Sequence, residues 1–491
     1  MRTLLTSLAA LLLFAACPSS SQFGGPPRGQ LYYPTGVVHV DRPGSTEGVL
    51  FVANANFDKR YATGSVVGFR LDGLGLPPLG QLSTDTPQIR ELAVQERAVV
   101  QVASFTGEMT GLSTGPDGVR LFVPSRSEGN LLQAVDVTFD ADGQPSLACV
   151  LPPGAAAGAS RTDCTGSAPS MTQYEFDEDA LPRAPVPYGV AAKARSCAVD
   201  PDCVTPLADG GVLGAGRACV AGRCTGAGGE IVGDVWVTHL SQADSPLASG
   251  RDLRAYAVRL DSDALQLGPE SYLNIGAGGG SSVAVGERWA YVSGRIISAS
   301  APAQMVRMVD RSGVVWQQGL ENDYRVAEGR GLAVSSDERR LYVVGRVPDT
   351  LIVIGVDDAR SASPKLNVVR AVPLPNGANE LRVIPRTGRS DLVAVTCTSG
   401  GVLALYDDDV GELVAQVQGV GLQSFGLAVA ARAGAARLFV GNFSDGRITV
   451  IDVADLSRPH EARIAAYLGL PQLCITRGLT APGCRETEVS P

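Results

Sequence analysis

The groups in this 491-residue chain whose chemistry could be used are few: three histidines, ten cysteines and two acidic runs. His39 and His239 sit in apolar runs that read as strands, and His460 follows Pro459 in a turn. Zinc, copper and haem sites draw on clustered ligands, and these imidazoles are scattered, so packing or turn roles are expected for all three. No Cys-x-x-Cys-His haem attachment, His-Glu-x-x-His zinc helix or phosphate loop occurs. The runs Asp407-Asp408-Asp409 with Glu412, and Glu175 with Asp177-Glu178-Asp179, carry the oxygens calcium takes. Neither has EF-hand spacing, and both read as solvated turns. The glycine run Gly276 to Gly280 is not set between a strand and a helix, which argues against a dinucleotide site. No catalytic residue, metal ligand or cofactor is expected.

The cysteines carry more information. Arg2 precedes an apolar run from Leu4 to Ala16, long enough for a signal peptide and too short to span a bilayer. It ends Leu13-Phe14-Ala15-Ala16-Cys17 and is followed by Pro18 and three serines. This resembles a bacterial lipobox, with Phe14 in place of the usual Leu, and implies that residues 1–17 are a signal peptide and lipobox, cleaved ahead of Cys17, which takes the lipid. Several acyl chains give stable anchoring where one does not. Residues 18–30, rich in Ser, Gly and Pro, are expected to be a flexible tether holding the body roughly 20 Å from the membrane. The expected location is therefore the cell envelope, on the outer membrane.

In an exported chain the other cysteines read first as disulfides. Cys197, Cys203, Cys219 and Cys224 lie in a Gly- and Asp-rich insert, residues 193–230, with too few apolar residues for a core of its own. The insert resembles small cysteine-rich modules of exported Gram-negative proteins. Its four cysteines allow three pairings, among which the sequence does not choose. A zinc site is the competing reading, disfavoured by wide spacings and an oxidising compartment. Cys149 with Cys164 should close one loop, and Cys474 with Cys484 should pin the tail, residues 471–491. Cys397 is left in an apolar strand, where a thiol packs as a small hydrophobe.

Composition sets the frame for these elements. Apolar residues make up 45% of the chain, enough for a core, and 58 Gly with 31 Pro point to many short strands joined by turns. A net charge of −9, with arginines scattered along the chain, leaves no basic stripe for nucleic acid.

From residue 31 to 470 one pattern recurs: a strand starting near Gly, a turn, an apolar strand, a turn, and a third strand often ending in Asp. Gly331-Leu-Ala-Val, Leu341-Tyr-Val-Val and Thr350 to Val356 form the clearest copy. Gly426-Leu-Ala-Val, Arg437 to Asn442 and Arg447 to Val453 form another, and a third opens at Gly111. Second strands are expected near residues 50, 121, 235, 289, 341, 392 and 438, and the later spacings match a four-stranded propeller blade. A blade cannot bury both faces alone, so the units must stack around an axis. The fold class is all-β: a seven-bladed β-propeller with a small disulfide-rich insert. Either Ala462 to Leu468 or Leu31-Tyr32-Tyr33 should complete the last blade and cover its edge.

Phe51-Val-Ala-Asn54, Leu341-Tyr-Val-Val and Phe439-Val-Gly-Asn442 with Ile448-Thr-Val-Ile-Asp452 resemble the Tyr-Val-Thr-Asn repeat family. That resemblance implies a seven-bladed propeller and a kinship that includes lactonase-like proteins. Two functions follow as expectations. One is a non-catalytic binding or scaffold protein of the envelope, taking another envelope protein or a small molecule at a propeller face. The other is a lactonase-like hydrolase acting at the channel mouth. A cluster of buried carboxylates with a basic partner in the channel would favour the second.

Overall fold

The computed structural model of the chain describes residues 25–42, 44–82, 84–127, 130–151, 158–166, 168, 186–206, 212–240, 254–267, 271–277, 279–294, 306–311, 315–316, 326–432 and 434–470. Cys17, Cys474, Cys484 and the acidic run at residues 175–179 lie outside them.

Seven sheets of antiparallel strands, paired in chain order, make the body. Blade 1 opens with Pro34–Val40 and Val49–Asn54, blade 2 with Thr110–Gly115 and Gly118–Ser125, and blade 3 with Pro187–Ala194 and Gly233–His239. Blade 4 opens with Gly280–Val285 and Trp289–Gly294, and blade 5 with Glu328–Val334 and Arg340–Arg346. Blade 6 opens with Ala378–Ile384 and Leu392–Cys397, and blade 7 with Ser424–Arg432 and Ala435–Asn442. Each second strand begins within three residues of its expected place. These strands read as unbroken apolar runs because both faces of the sheet are covered. The outermost strand of blade 5, Lys365–Pro373, is largely exposed instead. First strands line the hub, each beside that of the next blade, and Pro34–Val40 packs on Ser424–Arg432 to close the ring.

The recurrent glycine has a steric cause. Strand pairing places Gly36, Gly189, Gly331 and Gly426 at one equivalent position in blades 1, 3, 5 and 7. A Cβ on Gly331 would lie 2.7 Å from the Asn379 carbonyl oxygen, and one on Gly426 would lie 2.8 Å from that of Thr35. Neighbouring hub strands touch there, backbone to backbone. Gly111 is not the counterpart in blade 2: it pairs with Leu121, three residues beyond the equivalent position, which is Glu108.

Apolar layers fill the wedges between sheets. Between blades 6 and 7 lie Leu403, Leu405, Leu427, Leu438, Val440 and Ile451, all buried. Burial of a side chain of this size is worth about 1.5–3 kcal/mol.

Ring closure uses the C-terminal segment: Arg463–Leu468 is the fourth strand of blade 7. Leu31 and Tyr32 are buried beside blades 1 and 7 without forming a strand. The edge itself is covered by a segment the sequence did not suggest. Gln88–Arg90, from the excursion between the third and fourth strands of blade 1, pairs parallel with Ala466 to Leu468. Arg437 of blade 7 completes the closure, held by Asp452 at 2.7 Å and by Glu47 of blade 1, and donating to the Pro77 carbonyl at 2.5 Å. Residues 25–30, placed in the tether by composition, lie against blade 1, with Pro26 buried and Arg28 paired to Glu96 at 2.8 Å.

The cysteine-rich insert leaves blade 3 after Ala194 and returns at Gly233, on the lower face, where first strands end. Disulfides join Cys197 to Cys219 and Cys203 to Cys224. Ion pairs bind the module to its blade: Arg195 to Asp234 and Asp261 at 2.5 and 2.6 Å, and Arg217 to Asp261 and Asp263 at 3.0 and 2.5 Å. The Cys149–Cys164 disulfide draws a loop across the outer strands of blades 1 and 2, where Gln101 N–H donates to the Thr162 carbonyl at 2.8 Å.

Gly331→Ala is expected to cost about 1–3 kcal/mol in chemical denaturation, because the added methyl meets backbone and not a yielding side chain. Gly115→Ala, whose Cβ would meet nothing within 4 Å, is the control and should cost far less. Equal losses for the two variants would reject the close-approach argument.

Candidate functional site

Where first strands begin, on the upper face, a funnel of about 700 Å³ opens over the hub. Thr35, Tyr188, Arg330 and Phe425 reach it from the residue just before the repeat glycine of blades 1, 3, 5 and 7. Turns between second and third strands supply Phe57, Arg126, Arg346, Thr398 and Phe443. Every described blade except the fourth contributes a side chain.

The funnel has two chemically distinct sides. Phe443 packs against Tyr33, Phe57 and Phe425 at ring-centre distances of 4.7, 5.3 and 5.3 Å, and Phe57 packs against Phe105 at 5.3 Å. Phe57 remains 48% exposed and Leu422 59% exposed, so this apolar rim faces solvent. Three guanidiniums complete the lining, Arg330 and Arg346 from blade 5 and Arg126 from blade 2. Arg330 pairs with Glu328 at 2.7 Å. Arg346 donates to the carbonyls of Ala378 and Gly377 at 2.6 and 3.0 Å and to Thr398 Oγ1 at 3.1 Å. Arg126 lies 5.3 Å from the Tyr188 ring centre and donates weakly to the Phe105 carbonyl at 3.5 Å, beside the aromatic rim. Among the described residues neither Arg126 nor Arg346 has a carboxylate within ion-pair distance. Burial lowers the pKa of both; for Arg346 the Arg330 charge lowers it further, while the Glu328 and Asp349 carboxylates act against the shift.

Beneath Tyr188 the hub holds two carboxyl groups. Glu108 and Glu380 belong to blades 2 and 6, which are not neighbours, so their side chains meet across the channel. Both residues are buried, at 7% and 2% exposure. Burial first, and then the adjacent Glu380, push the Glu108 carboxyl well above the usual carboxylate range. Arg382 closes an ion pair with Glu380. A third of the Arg382 side chain is reachable by solvent although it lies inside the ring, so the channel is hollow at that depth. The two glutamates thus face each other across the hub, with Arg382 as the counter-charge that Glu108 shares with Glu380.

Sequence reasoning did not find Glu108 or Glu380, yet a signal existed. Both stand where four other blades carry the repeat glycine. Nor did it find the three arginines, whose positions, 126, 330 and 346, share no local pattern.

The residues singled out earlier lie elsewhere. His39 Nε2–H donates to the Glu47 carbonyl at 2.8 Å and the ring stacks on Phe439, and burial lowers its pKa. His239 is buried at the end of a blade 3 strand, and His460 lies in the short turn Pro459–Glu461. Asp407 and Asp409 are bound by Arg386 at 2.6 and 3.3 Å, so this acidic run serves an ion-pair network. Cys397 is buried, its thiol pushed up to about 12 by burial. Gly111-Leu112-Ser113-Thr114-Gly115 matches a Gly-x-Ser-x-Gly pattern, but it runs along a strand, not into a helix, and Ser113 donates to the Gly115 carbonyl at 3.0 Å. A second cavity, of about 510 Å³, lies on the lower face between blades 5 and 6. Its charges are engaged with one another: Ser336 binds Asp391 at 2.7 Å, and Arg340 approaches Asp408 at 3.8 Å.

Strand pairing and hub geometry thus define the class: a seven-bladed β-propeller with an arginine-bearing funnel on one face and a disulfide-stapled insert on the other. No protein-family model matches the chain, and no curated protein does. Among solved structures, a putative 6-phosphogluconolactonase from Bacteroides fragilis is similar over 77% of this chain and 82% of its own, at 13% identity and a TM-score of 0.41. Hydrazine synthase of Kuenenia stuttgartiensis is similar over 87% of this chain and 97% of its own, at 12% identity and 0.45. Apo AztD from Citrobacter koseri is similar over 89% and 97%, at 14% identity and 0.38. Likenesses this distant do not bear on ligand or reaction, and the architecture rests on the strand pairing itself.

The Glu108 carboxyl gives a pH prediction. The unfolded chain loses this proton near 4.5, while the native state keeps it to higher pH. Between those values the native state binds more protons, so stability falls as pH rises through the window. Glu108→Gln keeps a donor and removes the titration. Its stability should therefore gain on the wild type as pH rises above 4.5, by about 1.4 kcal/mol for each pH unit within the window, and its melting temperature should rise accordingly. Differential scanning fluorimetry across a pH series checks this, and a constant gap between the two proteins would contradict it.

Proposed function

We propose that this chain is an exported binding protein, anchored in the outer membrane through lipid on Cys17, whose propeller takes an anionic ligand into the upper funnel without turning it over. The observation that carries the reading is a funnel lined by three arginines on a chain of net charge −9, in which Arg126 has no carboxylate partner among the described residues. A desolvated guanidinium without a counter-ion leaves donors to be filled by a ligand's oxygens. Backbone strain supports the same place. Tyr33, Phe105, Val186 and Gln423 adopt left-handed φ values of 54°, 59°, 72° and 55° in the loops around the funnel. Such costs of about 1–3 kcal/mol each gather at binding sites. The Leu13 to Cys17 segment and the Ser-rich stretch after it support the anchor.

A second reading, lactone hydrolysis, draws support from Glu108 and Glu380: a neutral carboxyl beside a carboxylate and Arg382 is a general acid in waiting. It is the weaker reading because both glutamates are nearly closed to solvent and bond to each other below Tyr188.

Titration calorimetry on the mature chain should show binding of small organic or phosphorylated anions, lost in the Arg126→Gln/Arg346→Gln double variant. Lactones should not be hydrolysed. Turnover that disappears in Glu380→Gln would replace the binding reading with the enzymatic one. For the anchor, palmitate should label the wild type and not Cys17→Ala; labelling of the variant would remove that part of the proposal.

A further inference from the structure

The division of the funnel into an aromatic side and a cationic side specifies more than charge. We infer that its ligand is an amphipathic organic anion: a carboxylate or sulfonate on an aromatic or aliphatic body, with the anionic group on Arg126 and the body against Phe57, Phe425 and Phe443. This rests on the binding reading above and narrows it.

The argument is one of complementarity. The aromatic side comes from blade 1, blade 7 and the connection between blades 1 and 2, and it presents ring faces and edges, with Gln423 and Ser444 beside them bonded to each other at 2.6 Å. Five rings, Tyr33, Phe57, Phe105, Phe425 and Phe443, are linked there by centre distances of 4.7 to 5.3 Å. A free phosphate would leave this wall wet and unpaired, since aromatic faces return hydrogen bonds poorly. A neutral apolar molecule would cover the wall but leave Arg126 desolvated beside it without counter-charge, at a cost the site already bears when empty. Only a ligand with both parts satisfies both walls at once. The volume of about 700 Å³ suits a molecule of drug-like size and is too large for an inorganic ion alone. Exposure of Phe57 at 48% and Leu422 at 59% gives the body a way in without unfolding any blade. Lys59, 5.3 Å from the Phe105 ring centre, adds a further cation at the rim on the approach.

The test uses the full mature chain and two fluorescent probes of the same shape: anilinonaphthalene sulfonate, which is anionic, and phenylnaphthylamine, which is neutral. The sulfonate should bind at one saturable site, at least about tenfold more tightly than the neutral dye. Arg126→Gln should weaken the sulfonate about tenfold and leave the neutral dye unchanged, because one charge-assisted contact is lost. Arg330→Gln should act the same way more mildly and serves if Arg126→Gln proves unstable. Phe57→Ser, at an exposed position, should weaken both dyes severalfold. Equal affinity for the two dyes, or sulfonate binding indifferent to both arginine variants, overturns the inference. If phosphogluconate or inorganic phosphate binds in an Arg126-dependent way while the sulfonate does not, the amphipathic class falls and the anion-binding reading stands. If no anion binds, both fall.

Discussion

The structure depends on how closely neighbouring hub strands can approach. A four-stranded blade has two apolar faces and no partner of its own, so it is stable only wedged between others. At the hub the wedges are narrowest, and there the packing is between backbones, not side chains. Gly331 against Asn379, and Gly426 against Thr35, are separated by less than a Cβ would need. Glycine at this register position in blades 1, 3, 5 and 7 lets neighbouring hub strands close on each other, and larger side chains such as Leu403 and Leu438 fill the wedge between sheets. Where the glycine is replaced, the replacement matters. In blades 2 and 6 the position carries Glu108 and Glu380, and these two carboxyls bridge the channel that the glycines elsewhere keep narrow.

Closure poses a different problem, because a ring of sheets built from one chain must join its first and last blades. Here all four strands of blade 7 come from the C-terminal part of the chain, and the joint is made by blade 1 reaching back. Gln88–Arg90 adds a short parallel strand to the outer edge, and Arg437 ties Asp452 and Glu47 into one buried node. A three-residue parallel pairing is weak by itself. The Arg437 node compensates: with its guanidinium 1% exposed, removing either carboxylate would leave a charge buried without its match. At the other end of the same joint Leu31, Leu468 and Ile448 form one buried apolar cluster.

The repeat was readable because its physical cause is local. A strand covered on both faces must be an apolar run, and its turns must carry Gly, Asn or Asp, so Leu341-Tyr-Val-Val and Phe439-Val-Gly-Asn442 announce themselves. The choice of Glu108 over Gly111 as the register equivalent was not readable, because it depends on a strand pairing and blade 2 happens to place a glycine three residues on. Pairing of Cys197 with Cys219 and Cys203 with Cys224 depends on the path of a module that has almost no core. The latch at Gln88–Arg90 is three residues long and has no periodicity to detect. The funnel was least legible. Arg126, Arg330 and Arg346 converge only because turns from blades 2 and 5 and a hub strand meet over one axis. Part of that convergence was nevertheless encoded: Thr35, Tyr188, Arg330 and Phe425 each stand immediately before a repeat glycine, so the residue preceding the close approach is the one turned towards the mouth.

The two faces of the ring use charge differently, and this separates structural from functional arginines. On the lower face several arginines are paired: Arg195 and Arg311 share Asp234, Arg217 binds Asp261 and Asp263, and Arg386 binds Asp407 and Asp409. These networks hold turns and the stapled insert in place, and each of these guanidiniums meets its counter-charge within the chain. On the upper face Arg126 is desolvated without a carboxylate, next to a solvent-facing aromatic wall, in loops that hold several residues in left-handed conformations. None of these three features stabilises the fold, and each has a cost. A molecule that supplies oxygens to the guanidinium and an apolar surface to the rings removes the first two costs together, which is why the funnel, and not the larger surface of the insert, is the place where this propeller meets its ligand.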